Sequence, residues 1–153
     1  MSLGVVSLSQ ASEIVHVPDD VNEILDEFPE GSLTIILRAR NEMDARLGGD
    51  KVAVRVVSNR TAKELLSKTG PLTATSANIS GQEPYLDCAK AAESLRRAGE
   101  KIFEIDGFCE GGQPSTLIAW HTVCNPPKSS SIEVIREGKI GSKEVLSWWK
   151  SRI

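Results

Sequence analysis

The chain has 153 residues, of which 40% are hydrophobic and 25% are charged, as is ordinary for a folded globular domain. Eighteen Lys and Arg residues against 21 Asp and Glu residues give a net charge of −3, so no overall charge attracts the chain to nucleic acid. No apolar run approaches the roughly 20 residues that cross a bilayer, and the first residues do not resemble a secretory leader.

In chain order, the hydrophobic pattern predicts helices mixed with short strands. Helices are expected where apolar residues recur at helical spacing, and strands where short β-branched runs occur. Ser9 is the expected N-cap of the first helix, Asp87 that of the fourth, and Leu65 and Leu66 are expected to face inward from the third. The predicted helices cover residues 9–15, 20–28, 60–69, 87–98 and 142–153, and the predicted strands cover residues 33–38, 52–57, 71–76, 101–105, 115–120 and 132–136.

This element order favours an α/β fold in one domain over residues 1–153, with a C-terminal helix within residues 141–153. The last three predicted strands follow one another through loops, without helices between them. A twisted mixed sheet with some antiparallel pairs is therefore expected instead of a purely parallel one.

Two loops after predicted strands are candidate ligand-binding segments. Residues 73–81 (TATSANISG) combine hydroxyls, an amide and a glycine, which suit close contact with a ligand but also form ordinary turns. Residues 111–116 (GGQPST) form a glycine loop that suits an anion, although a plain hairpin explains the composition equally well. The second segment is not a P-loop, because no Gly-Lys-Ser/Thr follows.

Arginines on predicted strands are the third candidate set. Arg38, Arg55 and Arg136 have guanidinium groups that match carboxylates and phosphates, and a strand-end ion pair is the alternative for each. Arg96 and Arg97 on a helix are typical of a solvated face.

Other polar residues carry weaker signals. Glu104, Asp106 and Glu110 suit Mg²⁺ or a polar turn. The pair Trp148-Trp149 is typical of packing. Three cysteines without a Cys-x-x-Cys pair, and two histidines, argue against a disulfide framework or a His-rich metal site and indicate a reducing, cytoplasmic compartment.

Taken in order, five segments closely resemble the YrdC family, the threonylcarbamoyl-adenylate synthases. The segments are GSLTIIL at 31–37, VAVR at 52–55, GPLTATSANISG at 70–81, GGQPST at 111–116 and IREGKI at 135–140. The resemblance implies a YrdC-like fold with a basic cavity. It implies ATP, with Mg²⁺, L-threonine and bicarbonate as reactants, and threonylcarbamoyl-AMP and pyrophosphate as products.

The resemblance also implies roles for individual residues. Arg38 and Ser115 would bind threonine, Arg55 and Thr116 would form the cavity wall, and no residue is assigned as a covalent or acid–base catalyst. Residues expected at the ATP site are Thr34, Ala74, Ser76, Asn78, Pro84 and Arg136. Implied partners are tRNA or double-stranded RNA, threonylcarbamoyl transferase proteins and a second copy of the chain.

Departures from the family pattern leave open how the chain arose and whether it is an enzyme. The Pro-Thr-Asp-Thr and Lys-x-Arg motifs that the family carries ahead of the segment matching Val5 are absent from this sequence, Ala119 replaces an Asp and Val57 replaces a Pro. The chain is accordingly expected to be an N-terminally truncated piece, a split protein or a divergent paralogue. The alternatives to an enzyme are a non-catalytic nucleotide- or RNA-binding module and a scaffold completed by a partner.

Overall fold

The computed structural model describes residues 1–96, 101–123 and 129–152. These residues belong to two compact units. The first, here called the sheet unit, contains Met1–Ala74 and Gln113–Ile153, and the second unit is Thr75–Gly112. The expectation of one domain over residues 1–153 stays a prediction.

A six-stranded mixed sheet forms the sheet unit, which confirms the predicted α/β class. The strands follow the spatial order β4-β1-β3-β2-β5-β6. The pairs β1–β3 and β2–β5 are parallel, whereas β1–β4, β2–β3 and β5–β6 are antiparallel. The strands are β1 Ser2–Val5, β2 Leu33–Arg38, β3 Lys51–Val56, β4 Leu72–Ala74, β5 Thr116–Val123 and β6 Ser129–Arg136.

Helices occur in both units. The sheet unit contains α1 Leu8–Ala11, α2 Asp20–Glu27, α3 Arg60–Thr69 and α5 Ser142–Lys150, and the second unit contains α4 Cys88–Leu95. The Asn59 side chain accepts a hydrogen bond from the Ala62 amide and caps α3. None of these described helices has the length and apolar character needed to span a membrane.

The hydrophobic core covers one face of the sheet. Because side chains alternate along a strand, Leu33, Ile35 and Leu37 of β2 all reach that face, where they are buried. Helices α2 and α5 pack there through Val21, Ile24, Val145 and Trp148. Trp149 is partly buried, and its ring lies edge-on to Trp120 with 5.3 Å between centroids, so the tryptophan pair packs as predicted.

Three elements of the structure differ from the prediction. The hydrophobic pattern did not predict strand β1, because a four-residue strand containing Ser2 and Gly4 lacks a clear β pattern and depends on pairing with β3 and β4. Helix α1 starts at Leu8 with Ser7 as its cap, in place of Ser9. In α3, Leu66 is buried but Leu65 is 39% exposed, because only one of the two adjacent residues can face the sheet.

The predicted strand over residues 101–105 is wrong. This segment has an irregular backbone, and Phe103 is 88% exposed. Its apolar composition favours a strand, but no neighbouring strand pairs with it in the described chain, and only the bridge Asp87–Phe108 lies nearby in sequence. Arg97, the predicted helix end at 98 and most of the predicted crossing at 125–131 lie outside the described residues.

Candidate functional site

The face of the sheet opposite the hydrophobic core carries a row of polar residues across neighbouring strands. Arg55 of β3 pairs with Gly4, Thr34 of β2 pairs with Leu117, and Leu117 pairs with Arg136 of β6. The β2–β3 register pairs Ile35 with Val54, so the next pair along the antiparallel ladder is Thr34 and Arg55. A register shift between Leu117 and Ile118 lets Arg136 share this face. The register therefore brings Arg55, Thr34 and Arg136 into one row.

A buried hydroxyl pair lies at the centre of this row. Thr34 Oγ1 and Ser115 Oγ are 2.7 Å apart and hydrogen-bonded, and both residues are buried. The carbonyl of Ser115 also accepts a hydrogen bond of 2.8 Å from Arg136 Nη2. Ser115 is thus hydrogen-bonded both to the Thr34 hydroxyl on β2 and to the Arg136 guanidinium on β6.

Arg55 is a half-buried cation without an ion-pair partner in the described chain. Its Nε donates to the Gly31 carbonyl at 3.0 Å. Burial and, to a lesser extent, the charge of Arg136 lower the pKa of Arg55. None of the ion pairs among the described residues involves Arg55 or Arg136. A guanidinium whose charge is disfavoured by burial and by a neighbouring guanidinium, without a described carboxylate partner, makes an arrangement that an anion would stabilise.

A second pair of cations extends the same face. Arg38, at the end of β2, is directly opposite Lys51 of β3 in the register, and both residues are exposed. Like charges in directly opposed positions repel each other, so this pair also favours a bound anion. Sequence reasoning identified Arg38 but missed Lys51. The strand register, which a single sequence does not provide, is the signal that would have found it.

Thr116, expected at the cavity wall, has a different environment. It is fully buried on the core side, where its hydroxyl donates to the Ile140 carbonyl at 2.6 Å. The same oxygen accepts from the Gly138 and Ile140 amides, each at 3.0 Å. These three bonds use the full hydrogen-bonding capacity of a hydroxyl, so Thr116 holds the segment after Arg136 and has no bond left for a ligand.

The turn after Arg136 packs too closely for a side chain at its glycine. A Cβ atom at Gly138 would lie 2.1 Å from the Pro114 carbonyl oxygen, which real structures do not allow. The Lys139 amide donates to that same carbonyl at 2.8 Å. The close approach at Gly138 and this hydrogen bond hold the turn against the residues that precede β5. They thereby fix the end of β6 that carries Arg136.

Ala74, expected at the ATP site, lies on β4 at the opposite edge of the sheet from β6. Its carbonyl accepts a hydrogen bond of 3.1 Å from the Ser2 hydroxyl. The four strands between β4 and β6 separate Ala74 from Arg136, so the sheet does not bring these two predicted residues together.

The remaining predicted ATP ligands belong to the second unit. Ser76 and Pro84 are exposed. The Asn78 amide nitrogen donates to the carbonyls of Ile79 and Gln82, at 3.0 and 2.7 Å, and so stabilises the turn that its composition suggested. Its side-chain oxygen is buried without a described partner, which leaves one acceptor free.

Other sequence candidates have ordinary structural environments. Arg96 pairs with Glu104 at 3.8 Å, and His121 lies 3.4 Å from Glu133. Within the described ranges, no group of three or more His, Cys, Asp or Glu side chains is placed to hold a metal ion. This includes Glu104, Asp106 and Glu110, which are exposed.

Comparisons with known proteins agree on one fold and one family. The chain aligns with the P. abyssi Sua5 crystal structure complexed with L-threonine, with a TM-score of 0.73 and 25% identity over 95% of this chain and 42% of that one. It also aligns with the crystal structure of E. coli YciO, with a TM-score of 0.63 and 24% identity over 92% of this chain and 67% of that one. The shared architecture is a mixed sheet of the YrdC-like class.

Sequence comparisons give the family. The family model Sua5_yciO_yrdC, described as "Telomere recombination", matches residues 1–138. A putative threonylcarbamoyl-AMP synthase of Methanocaldococcus jannaschii is 30% identical over 118 residues, 77% of this chain and 56% of that protein. The threonylcarbamoyl-AMP synthase of Klebsiella pneumoniae is 37% identical over 106 residues, 67% of this chain and 54% of that protein. The chain belongs to the Sua5/YciO/YrdC family and spans about half the length of these curated relatives.

Proposed function

We propose that the chain binds ATP and L-threonine and acts in the formation of threonylcarbamoyl-AMP. The observation that carries this proposal is the pair Arg55 and Arg136, two cations without described carboxylate partners on either side of the buried Thr34–Ser115 hydroxyl pair. Support comes from two relatives named threonylcarbamoyl-AMP synthase and from a similar structure that holds L-threonine.

The proposed chemistry needs positioning and charge neutralisation more than a covalent nucleophile. The threonine amine takes up bicarbonate carbon to form a carbamate, and water is released. A carbamate oxygen attacks the α-phosphorus of ATP, its bond to the β-phosphate oxygen breaks, and pyrophosphate leaves. Negative charge shifts onto the leaving phosphates, and fixed guanidinium groups stabilise it without reorganisation.

Each residue of the open face, as we call the sheet face opposite the hydrophobic core, takes a role that suits its chemistry. Arg136 and Arg55 would bind phosphate oxygens, since a guanidinium offers paired N–H donors. Arg38 would bind the threonine carboxylate, and the Ser115 hydroxyl would hold the amino acid while Thr34 fixes its rotamer. Thr116 acts as a positioning residue for the turn that follows Arg136.

Four further residues stay proposed ATP ligands on the strength of the family resemblance. Ser76, Asn78 and Pro84 of the second unit, and Ala74, stay proposed ATP ligands, and each is tested by its own substitution. Mg²⁺ would enter with the nucleotide, bound chiefly by phosphate oxygens and water, as that ion prefers. We propose, for the family as a whole, that transferase proteins pass the threonylcarbamoyl group on to tRNA.

A second candidate function is a non-catalytic module that binds nucleotides or RNA. Lys51 favours it, because this additional cation widens the basic face beside Arg38. Binding through several phosphate contacts would weaken steeply as salt concentration rises. Binding of tRNA that does not change with salt would contradict this alternative.

Pyrophosphate release distinguishes the two functions. The purified chain is incubated with ATP, L-threonine, bicarbonate and Mg²⁺, and pyrophosphate is measured against a reaction without threonine. Threonine-dependent release that falls in Arg136→Ala but not in Arg60→Ala, an exposed helix control, supports the synthase. ATP binding without release supports the module. The absence of both overturns the proposal.

A further inference from the structure

Two cysteines in the second unit lie on either side of a backbone bridge. Asp87 and Phe108 form an isolated antiparallel bridge. The Cys88 amide donates to the Gly107 carbonyl at 3.1 Å, and the Cys109 amide donates to the Leu86 carbonyl at 2.7 Å. These two hydrogen bonds hold the backbones that carry Cys88 and Cys109 at the separation of neighbouring strands, so the two residues are diagonal neighbours across the bridge.

The two thiols also interact with each other. Burial, followed by the adjacent thiol of Cys109, raises the pKa of the Cys88 thiol. Both cysteines are free, Cys88 is half-buried and Cys109 is exposed. A reagent in solution therefore reaches Cys109 first, while Cys88 is next to it and less acidic than an ordinary thiol.

We propose that Cys88 and Cys109 are an oxidation site that forms a reversible disulfide by exchange with a low-molecular-weight disulfide. The Cys109 thiolate attacks one sulfur of the small disulfide, whose S–S bond breaks, and one small thiol leaves with a proton. The Cys88 thiolate then attacks the Cys109 sulfur of the mixed disulfide and releases the second small thiol. The protein loses two protons and two electrons, and the small disulfide gains both.

This disulfide would close the part of the second unit that contains α4. A cross-link between residues 88 and 109 restricts the unfolded chain and stabilises the bridged form. The oxidised second unit is expected to exchange its backbone amide hydrogens more slowly than the reduced one, above all at Cys88 and Cys109, whose amides form the two hydrogen bonds of the bridge.

The test uses the full chain with Cys124→Ser, which leaves only the two cysteines in question. The chain is equilibrated in glutathione buffers of graded composition, acid-quenched and digested, and the peptides are identified by mass spectrometry. We expect a peptide that holds Cys88 linked to one that holds Cys109. The disulfide should form in the folded chain at least about tenfold more favourably than in the same chain in concentrated guanidinium chloride, because the bridge of the folded second unit keeps the two cysteines close together and the unfolded chain does not.

A repositioned cysteine gives a matched control. The variant Cys124→Ser, Cys109→Ser, Glu110→Cys keeps two thiols and nearly the same loop length but moves one thiol a residue away from the bridge. It should form its disulfide less readily than the Cys88–Cys109 pair. Equal formation in this control, equal formation in the folded and denatured chain, or separate glutathione adducts on Cys88 and Cys109 would each overturn the proposal.

Discussion

Replacing Thr116 by valine removes one hydroxyl from a fully buried position and keeps the shape of the side chain. The hydroxyl forms three hydrogen bonds, one to the Ile140 carbonyl and one from each of the Gly138 and Ile140 amides. After the substitution these three backbone groups lose their partner. Since the threonine and valine side chains are nearly equal in volume, no cavity contributes to the effect.

The expected loss follows from the burial of those groups. An unsatisfied buried donor or acceptor costs about 1–3 kcal/mol, and the two Ile140 groups are buried whereas the Gly138 amide is partly buried and regains water. We therefore expect Thr116→Val to lower the free energy of unfolding by about 2–6 kcal/mol.

Chemical denaturation of the two matched variants Thr116→Val and Thr116→Ser measures this difference. Serine keeps the hydroxyl and removes one methyl group, which costs about 1 kcal/mol. Thr116→Val should be the less stable variant. If Thr116→Ser is instead as destabilised as Thr116→Val, methyl packing and not the hydrogen-bond network holds this segment, and the reasoning fails.

Three further predictions concern the same region. Gly138→Ala should lower the free energy of unfolding by about 2 kcal/mol or more, because its Cβ would lie 2.1 Å from the Pro114 oxygen. Gly4→Ala, whose Cβ would have nothing nearer than 3.4 Å, should change the unfolding free energy little. A double-mutant cycle with Thr34→Val and Ser115→Ala should give a coupling of about 1 kcal/mol through their buried hydrogen bond, and additive effects would contradict it. Hydrogen bonds from Ser142 lower the pKa of Glu137 in the folded chain. The ionised carboxylate therefore stabilises the fold fully above the usual glutamate pKa, and this contribution is lost as the pH falls through the lower folded pKa. Over that acid range, Glu137→Gln should lose less stability than the unsubstituted chain.

The fold was largely predictable because its strands are short, apolar and β-branched. Leu33–Arg38 and the run that begins at Val52 show this pattern clearly, and the loops between later strands indicated antiparallel pairing. Strand β1 and the wrongly predicted strand at residues 101–105 show where local composition fails to predict strands. Local composition does not reveal whether a neighbouring strand exists to complete the hydrogen bonds.

The candidate site was predictable by residue type and not by arrangement. Arg38, Arg55 and Arg136 were identified because guanidinium groups on predicted strands match carboxylates and phosphates, and the open face carries all three. Thr116 and Lys51 could not be assigned from one sequence. A single sequence gives neither the β2–β3 register that places Lys51 opposite Arg38 nor the face of β5 on which Thr116 lies.

Calorimetric titration of ATP into the chain tests the central claim, that unpaired arginines on the open face bind phosphate. The variants Arg55→Gln and Arg136→Ala are compared with Arg60→Ala, whose guanidinium pairs with Glu64 on an exposed helix. Loss of a charged hydrogen-bond donor should weaken ATP binding roughly tenfold or more in the first two variants. Arg60→Ala should bind ATP as the unsubstituted chain does. Equal affinity in all four proteins would contradict the account.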